Sequence, residues 1–393
     1  MVGNNEILKK HTAVFKLLPS LFFVAFCFFH GQLSGQTSNS DFERIKLNYE
    51  GIEFSGIVLS PDLKNIAIST KDLAPVLILD WKSKKVIHEF NAGNWHSGSK
   101  ISYSENGKYL LLQELEYKDF SLNKPRKIAF EIIESETGKL IRKFENVQDV
   151  LISADEKYVV SLEEESVNFT RLTDGSKEKV IHVPGAANAI ALSPDGKLLA
   201  VSQKASPDIL KSTFSGDKKS TKVAEKTRQM VSFCDVEKGT IIKTVTELYE
   251  IIYKLKFSRG GELLIVSQTP EVSTQVANKK ISYFNLVDAV TTEPLRRGFT
   301  SMSIDQPAIH FSNNRQFFAI NSKGQKFQEI HLYDSETATL QKRFEMGKRI
   351  FEKVEGEKLF SDSRPSFTFL PGDESILIAI GNQLIIWNFN IEE

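Results

Sequence analysis

The phrase Ser193-Pro194-Asp195-Gly196, entered by Ala191-Leu192 and left by Leu198-Leu199-Ala200-Val201, is the clearest copy of a unit that this chain repeats. Weaker copies stand at Ser60-Pro61-Asp62, Ser104-Glu105-Asn106-Gly107 and Ser153-Ala154-Asp155. Three more follow at Ser258-Arg259-Gly260-Gly261, Ser312-Asn313-Asn314 and Leu370-Pro371-Gly372-Asp373. A unit returning roughly every 40–60 residues means stacked supersecondary modules rather than one irregular core. Each copy joins two apolar runs through a polar turn. Proline presets φ there, Asp and Asn bond their own backbone, and Gly accepts positive φ, which is hairpin chemistry.

A second hairpin completes each unit. Val76-Leu77-Ile78-Leu79-Asp80 is followed by Val86-Ile87-His88-Glu89-Phe90, and Met230-Val231-Ser232-Phe233-Cys234-Asp235 by Ile241-Ile242-Lys243-Thr244-Val245. Four short antiparallel strands per repeat make one blade of a β-propeller. No long stretch after residue 36 carries a convincing 3.6-residue apolar period, so the expected class is all-β. These repeats resemble the WD40 and YVTN-type propellers over nearly all of residues 42–393. The chain departs from WD40 proteins in opening no blade with Gly-His. The Trp-Asp dipeptide survives only loosely, as Asp80-Trp81 in reversed order and as Ile386-Trp387-Asn388.

Seven turn phrases imply seven four-stranded blades. Six or eight stay open because repeats three and five are weak. The last repeat supplies three strands, at 366–370, 376–380 and 383–389. The alternating segment 42–48, which has no blade of its own, is expected to fill the fourth position and close the ring, leaving no unfilled edge.

Residues 1–36 read as a secretory signal, with Lys9, Lys10 and Lys16 before an apolar run at 17–29 that is too short for a comfortable membrane span. Residues 37–41 read as a short linker, and residues 42–393 as the propeller. An exported product is therefore expected, cleaved near Gln36, with a lipidated or uncleaved anchor as the alternative. Cleavage leaves Cys234 without a disulfide partner, an inert thiol in an apolar strand. It also removes three lysines and one glutamate from a chain of formal charge zero, leaving −2. That balance lacks the basic bias of a nucleic-acid binder.

Long segments fall at second-to-third-strand loops or between blades, and both kinds emerge on one face. They are 91–100, 113–126, 204–229, 268–280 and 347–365. Loops on a rigid scaffold are where binding residues concentrate. Trp95 and His96 form one candidate contact, with Trp95 either an exposed anchor or packing beneath its neighbours. Lys218 and Lys219 form a second, within a lysine-rich stretch expected to be a solvated, partly disordered loop. Arg349 and Phe351 form a third. Gly216-Asp217-Lys218-Lys219-Ser220 lacks the spacing of a phosphate loop. His88, His96, His182, His310 and His331 show no metal-ligand spacing, and Asn168-Phe169-Thr170 matches a glycosylation pattern inside strand-like sequence.

The expectation is an exported, monomeric, non-catalytic ring that binds a protein or peptide partner through its long-loop face. No cofactor, metal, nucleic acid or membrane span in the mature chain is implied. The alternative is a secreted propeller enzyme, lactonase-like or another hydrolase, with a pocket over the central channel.

Overall fold

The computed structural model describes residues 42–389 apart from 48, 50, 116–126, 184, 216, 246, 259, 270–280, 301–306, 324–327, 338 and 347–363. Within them, seven four-stranded antiparallel sheets follow chain order, so the chain is a seven-bladed propeller. Blade one runs Phe54–Leu59, Asn65–Thr70, Val76–Asp80 and Lys85–Phe90. The first strands of neighbouring blades approach one another: Phe54–Leu59 meets Ser99–Tyr103 on one side and Ser366–Phe369 on the other. These strands line the central channel.

Second strands are buried on both faces, which is why they read as unbroken apolar runs such as Ile66-Ala67-Ile68 and Leu263-Leu264-Ile265-Val266. Fourth strands lie outermost. They mix exposed Ile87, Leu140 and Ile242 with charges such as Lys85, Arg142 and Lys179, and charge protects an edge against stray pairing.

Closure is as the sequence implied. Strand Phe42–Ile45 pairs antiparallel with Gln383–Asn388, Phe42 opposite Trp387 and Ile45 opposite Leu384. Ile45 is buried in a cluster with Phe54, Leu377 and Leu384, so the closing strand helps seal the seam between blades seven and one. Two hydrogen bonds tie the same seam: the Phe54 amide donates to the Gly381 carbonyl (2.7 Å), and the Ile57 amide to Ser366 Oγ (3.0 Å).

The repeated turn has one mechanism. Ser60 Oγ donates to Asp62 Oδ1 (2.6 Å) and accepts from the Asn65 amide (2.9 Å). Ser153 with Asp155, Ser193 with Asp195 and Ser312 with Asn314 repeat it at 2.6–2.8 Å. The Ser60 and Ser193 hydroxyls are the main reason Asp62 and Asp195 sit below the usual carboxylate range. A second lock closes the other hairpin, where Asp80, Asp235, Asp288 and Asp334 accept amides three residues on at 2.6–2.9 Å.

Blades are also latched to one another on this rim. Lys179 Nζ donates to the Glu237 carbonyl of the next blade (3.0 Å), Lys243 Nζ to Val290 (2.7 Å) and Arg296 Nη1 to Ser335 (2.6 Å). Each cation leaves a fourth strand and caps turn carbonyls that would otherwise point at solvent.

Candidate functional site

The stretch 204–229 corrects the sequence expectation of a partly disordered loop. It folds as two helices, α1 (Pro207–Thr213) and α2 (Lys218–Thr227). Ser206 caps the first through its side chain, with Pro207 in the first turn, and Asp217 caps the second by accepting from the Lys219 (2.9 Å) and Ser220 (3.1 Å) amides. Leu210 and Ala224 are buried with Ala205 and Met230, and Phe214 and Leu248 pack against them. The root is tied by an Arg228–Glu250 ion pair (3.2 Å) and by Gln229, whose Oε1 accepts the Ile252 amide (2.7 Å) and whose Nε2 donates to the Ala186 carbonyl (3.2 Å). The amides that open α2 are thus already engaged by the Asp217 carboxylate.

Lys218 and Lys219 are both exposed, and the fold places them with exposed Lys222 and Lys226 along α2, while Lys211 of α1 is exposed too. Helical spacing gathers 218, 222 and 226 into one stripe with 219 beside it. Half-exposed Val223 borders that stripe.

Trp95 takes the packing role. It is partly buried against Val76, Ile78, Phe90 and Leu112 at the seam of blades one and two, and the loop curls through a Gly98 amide bond to the Trp95 carbonyl (2.9 Å). His96 stays exposed, 3.7 Å from the carboxylate of Asp72, whose amide donates to the His96 carbonyl (3.3 Å). Thus Trp95–His96, between blades one and two, and the lysine helix, in blade four, are two separate stations on the long-loop rim. Arg349 and Phe351 lie outside the described residues. Asn168 is only 2% exposed, within strand Ser166–Arg171, so its glycosylation pattern is out of reach.

A third station went unnoticed in the sequence. In strand Ile251–Phe257, Lys254 and Lys256 alternate with buried Tyr253, Leu255 and Phe257. The alternation puts both lysines on the sheet face opposite Leu255 and Phe257, toward blade six, where Lys254 Nζ donates to the Ile309 carbonyl (3.5 Å). His310, from blade six, is subject to the fields of both lysines. Asp149, from blade three, adds only a weak opposing field at Lys254. Lys254 and His310 are half-buried, and the His310 ring packs edge-on against Phe367 of blade seven (5.1 Å between centroids). That enclosure, with Lys256 adding repulsion and Asp149 opposing it, pushes Lys254 down to about 8. His310 is driven well below the ordinary imidazole range by the same enclosure, then by Lys254 and Lys256. The available signal was a pair of lysines at alternate positions in an otherwise apolar first strand.

Elsewhere, an apolar crevice between blades five and six opens on the short-turn rim, lined by Leu264, Leu286, Phe311 and Phe318. Cys234 is buried, and burial pushes its thiol up to about 11, far from a nucleophile. Among the described residues, no three His, Cys, Asp or Glu side chains group closely enough to hold a metal ion.

No protein-family model and no curated protein sequence matches this chain. Solved structures do. Hydrazine synthase from Kuenenia stuttgartiensis aligns at a TM-score of 0.56 and 12% identity, covering 88% of this chain and 100% of that one. The β-propeller domain of Cps50 (Swd1) from Myceliophteria thermophila aligns at 0.56 and 14% identity, covering 89% and 100%. At such identities the likeness is one of fold: the chain is a seven-bladed β-propeller.

Proposed function

We propose that this propeller is an exported, non-catalytic binding module that holds an acidic protein or peptide segment on its long-loop rim. The observation carrying this reading is the blade-four insertion. A chain that needed only to join two strands could do so in two residues, since Lys204 faces Gln229 in register and the Ala205 amide donates to the Arg228 carbonyl (3.0 Å). Instead, two capped helices are packed onto the rim and present Lys218, Lys219, Lys222 and Lys226 outward. A fixed array of cations steers an acidic partner and sets its register. Export rests on the apolar run at 17–29, and sequencing the mature N-terminus tests it.

The partner test compares three chains: the parent, one with 206–227 replaced by Asn-Gly, and K218E/K219E/K222E. Crosslinking capture from envelope extracts should recover the same protein with the parent and lose it with both variants. Recovery of that protein by all three would place the binding surface elsewhere.

A further inference from the structure

One position of the repeat plugs the seams of the ring. The residue after each third strand donates its amide to the first turn of its blade, as Trp81 does to Lys64, Leu172 to Lys157, Val236 to Lys197 and Phe389 to Glu374. Each of these apolar side chains packs into the seam with the preceding blade, and Ala289 does so in blade five. Blades two and six carry Ser135 and Ser335 there, with the same amide bond to Lys108 and Gln316. Ser135 Oγ donates to the Gly107 carbonyl (2.6 Å), whereas Ser335 Oγ is covered and meets no hydrogen-bond partner among the described residues. The seam between blades five and six therefore lacks an apolar plug, and the consequence shows at Phe311. Every other blade keeps the residue before its first turn at least partly buried, Phe257 and Phe369 at 8% and 3% exposure, but Phe311 is 36% exposed. The crevice beside it has aromatic walls, Phe311 leaning on Phe318 (5.8 Å between centroids) and Phe318 on Phe284 (4.9 Å). Exposed Arg296 stands at its edge and gives one hydrogen bond to the Ser335 carbonyl (2.6 Å), while Arg297 is paired with Glu247 (3.0 Å). Asp334, close enough to feel Arg296, has its Oδ1 engaged by the Glu336 (2.9 Å) and Thr337 (2.6 Å) amides.

We infer that this crevice seats one aromatic or leucine side chain of a peptide partner, whose neighbouring acidic residue meets Arg296. An aromatic-walled pocket among polar turns is the setting of an interface anchor, and one inserted side chain takes both itself and Phe311 out of water. A guanidinium receives a carboxylate through parallel N–H donors, which favours an acidic neighbour over a basic one. The site is independent of the lysine helix, because it lies on the opposite rim and between different blades.

Methyl NMR of the full chain, followed at Leu264, Leu286 and Ile309 during titration with acetyl-Gly-Phe-Glu-Gly-amide, reads the site. A saturable shift at those three residues is expected. The same peptide with Lys in place of Glu should bind about fivefold more weakly or worse. Ser335→Leu restores the missing plug, so it should abolish the shift while melting no earlier than the parent. Phe311→Ala, at its exposed position, should weaken binding about tenfold, and K218E/K219E/K222E on the other rim should leave it unchanged. Should Ser335→Leu be too bulky to fold, Ser335→Val, which copies Val236 of blade four, carries the same comparison. No saturable shift, a shift that the Ser335 variant leaves intact, or equal binding of the two peptides overturns the inference. Movement of the same methyls on raising the protein concentration alone would assign the crevice to a second copy of the chain and overturn it as well.

Discussion

On the short-turn rim, Ser60, Ser153, Ser193 and Ser312 make the same hydrogen bonds in four different blades, and Lys179, Lys243 and Arg296 repeat one latch across three seams. On the opposite rim the connections share no such pattern. Blade three joins its second and third strands through only Glu164 and Glu165, whereas blade four places two helices in the same position. Where blades agree, the chemistry satisfies local backbone groups and is spent inside the ring. Where they differ, side chains such as His96 and Lys218 are left to solvent. Repetition therefore marks the scaffold, and irregularity marks the surface available to a partner.

The closing strand breaks or upholds this division most sharply. Deleting 41–48 strips an edge from blade seven and uncovers the cluster around Ile45, so the whole ring should lose about 3 kcal/mol or more and melt earlier in one transition. Calorimetry that shows an unchanged melting temperature would sink the closure argument.

A smaller effect is expected inside a single turn. Ser193→Ala removes the donor to Asp195 and the acceptor for the Leu198 amide, costing about 1 kcal/mol by urea denaturation. The linked carboxylates give this lock a pH signature. Asp62 and Asp195 are held below their usual 3.8, so the stability they add is present above that value and is lost as pH falls through their lower, folded-state values. Stability measured from about pH 4 downward should fall less steeply in D62N/D195N than in the parent. Equal slopes would show that these turns are not acid-sensitive.

Comparing blades also exposes a flaw in one copy. Thr292 holds φ +66° at the turn position where blade four has Gly239 at +68°, and a β-branched residue is strained there. Thr292→Gly should therefore stabilise the ring, by about 0.5–1 kcal/mol after the added chain entropy of glycine. Destabilisation would mean that the Thr side chain contributes more than its strain costs. The smallest expected change belongs to the variable rim: K218E/K219E/K222E should shift stability by no more than about 0.5 kcal/mol, because all three lysines are solvent-exposed. A larger loss would make α2 part of the scaffold.

The strands were legible because their information is local. Ile66-Ala67-Ile68 reads as a strand covered on both faces, and Ser60-Pro61-Asp62 as the turn before it, without reference to anything distant. The two helices were not legible. Seven and ten residues are too few for a clear period, and Leu210 and Ala224 find cover only because Met230 and Leu248 are brought beneath them. Trp95 was ambiguous for a related reason: its cover comes from Val76 and Leu112, on two different blades.

By itself, then, the sequence determined the repeat, the four-strand blade and the closing segment, since hydrophobic alternation and turn chemistry act over a few residues. Only the tertiary structure decided which side chains share a space. Lys254 and His310 stand in strands of different blades, and ring closure alone brings Lys254 Nζ to the Ile309 carbonyl (3.5 Å) beside His310. The lowered proton affinities of Lys254 and His310 belong to the assembled ring, because desolvation and mutual repulsion exist only once its walls are in place.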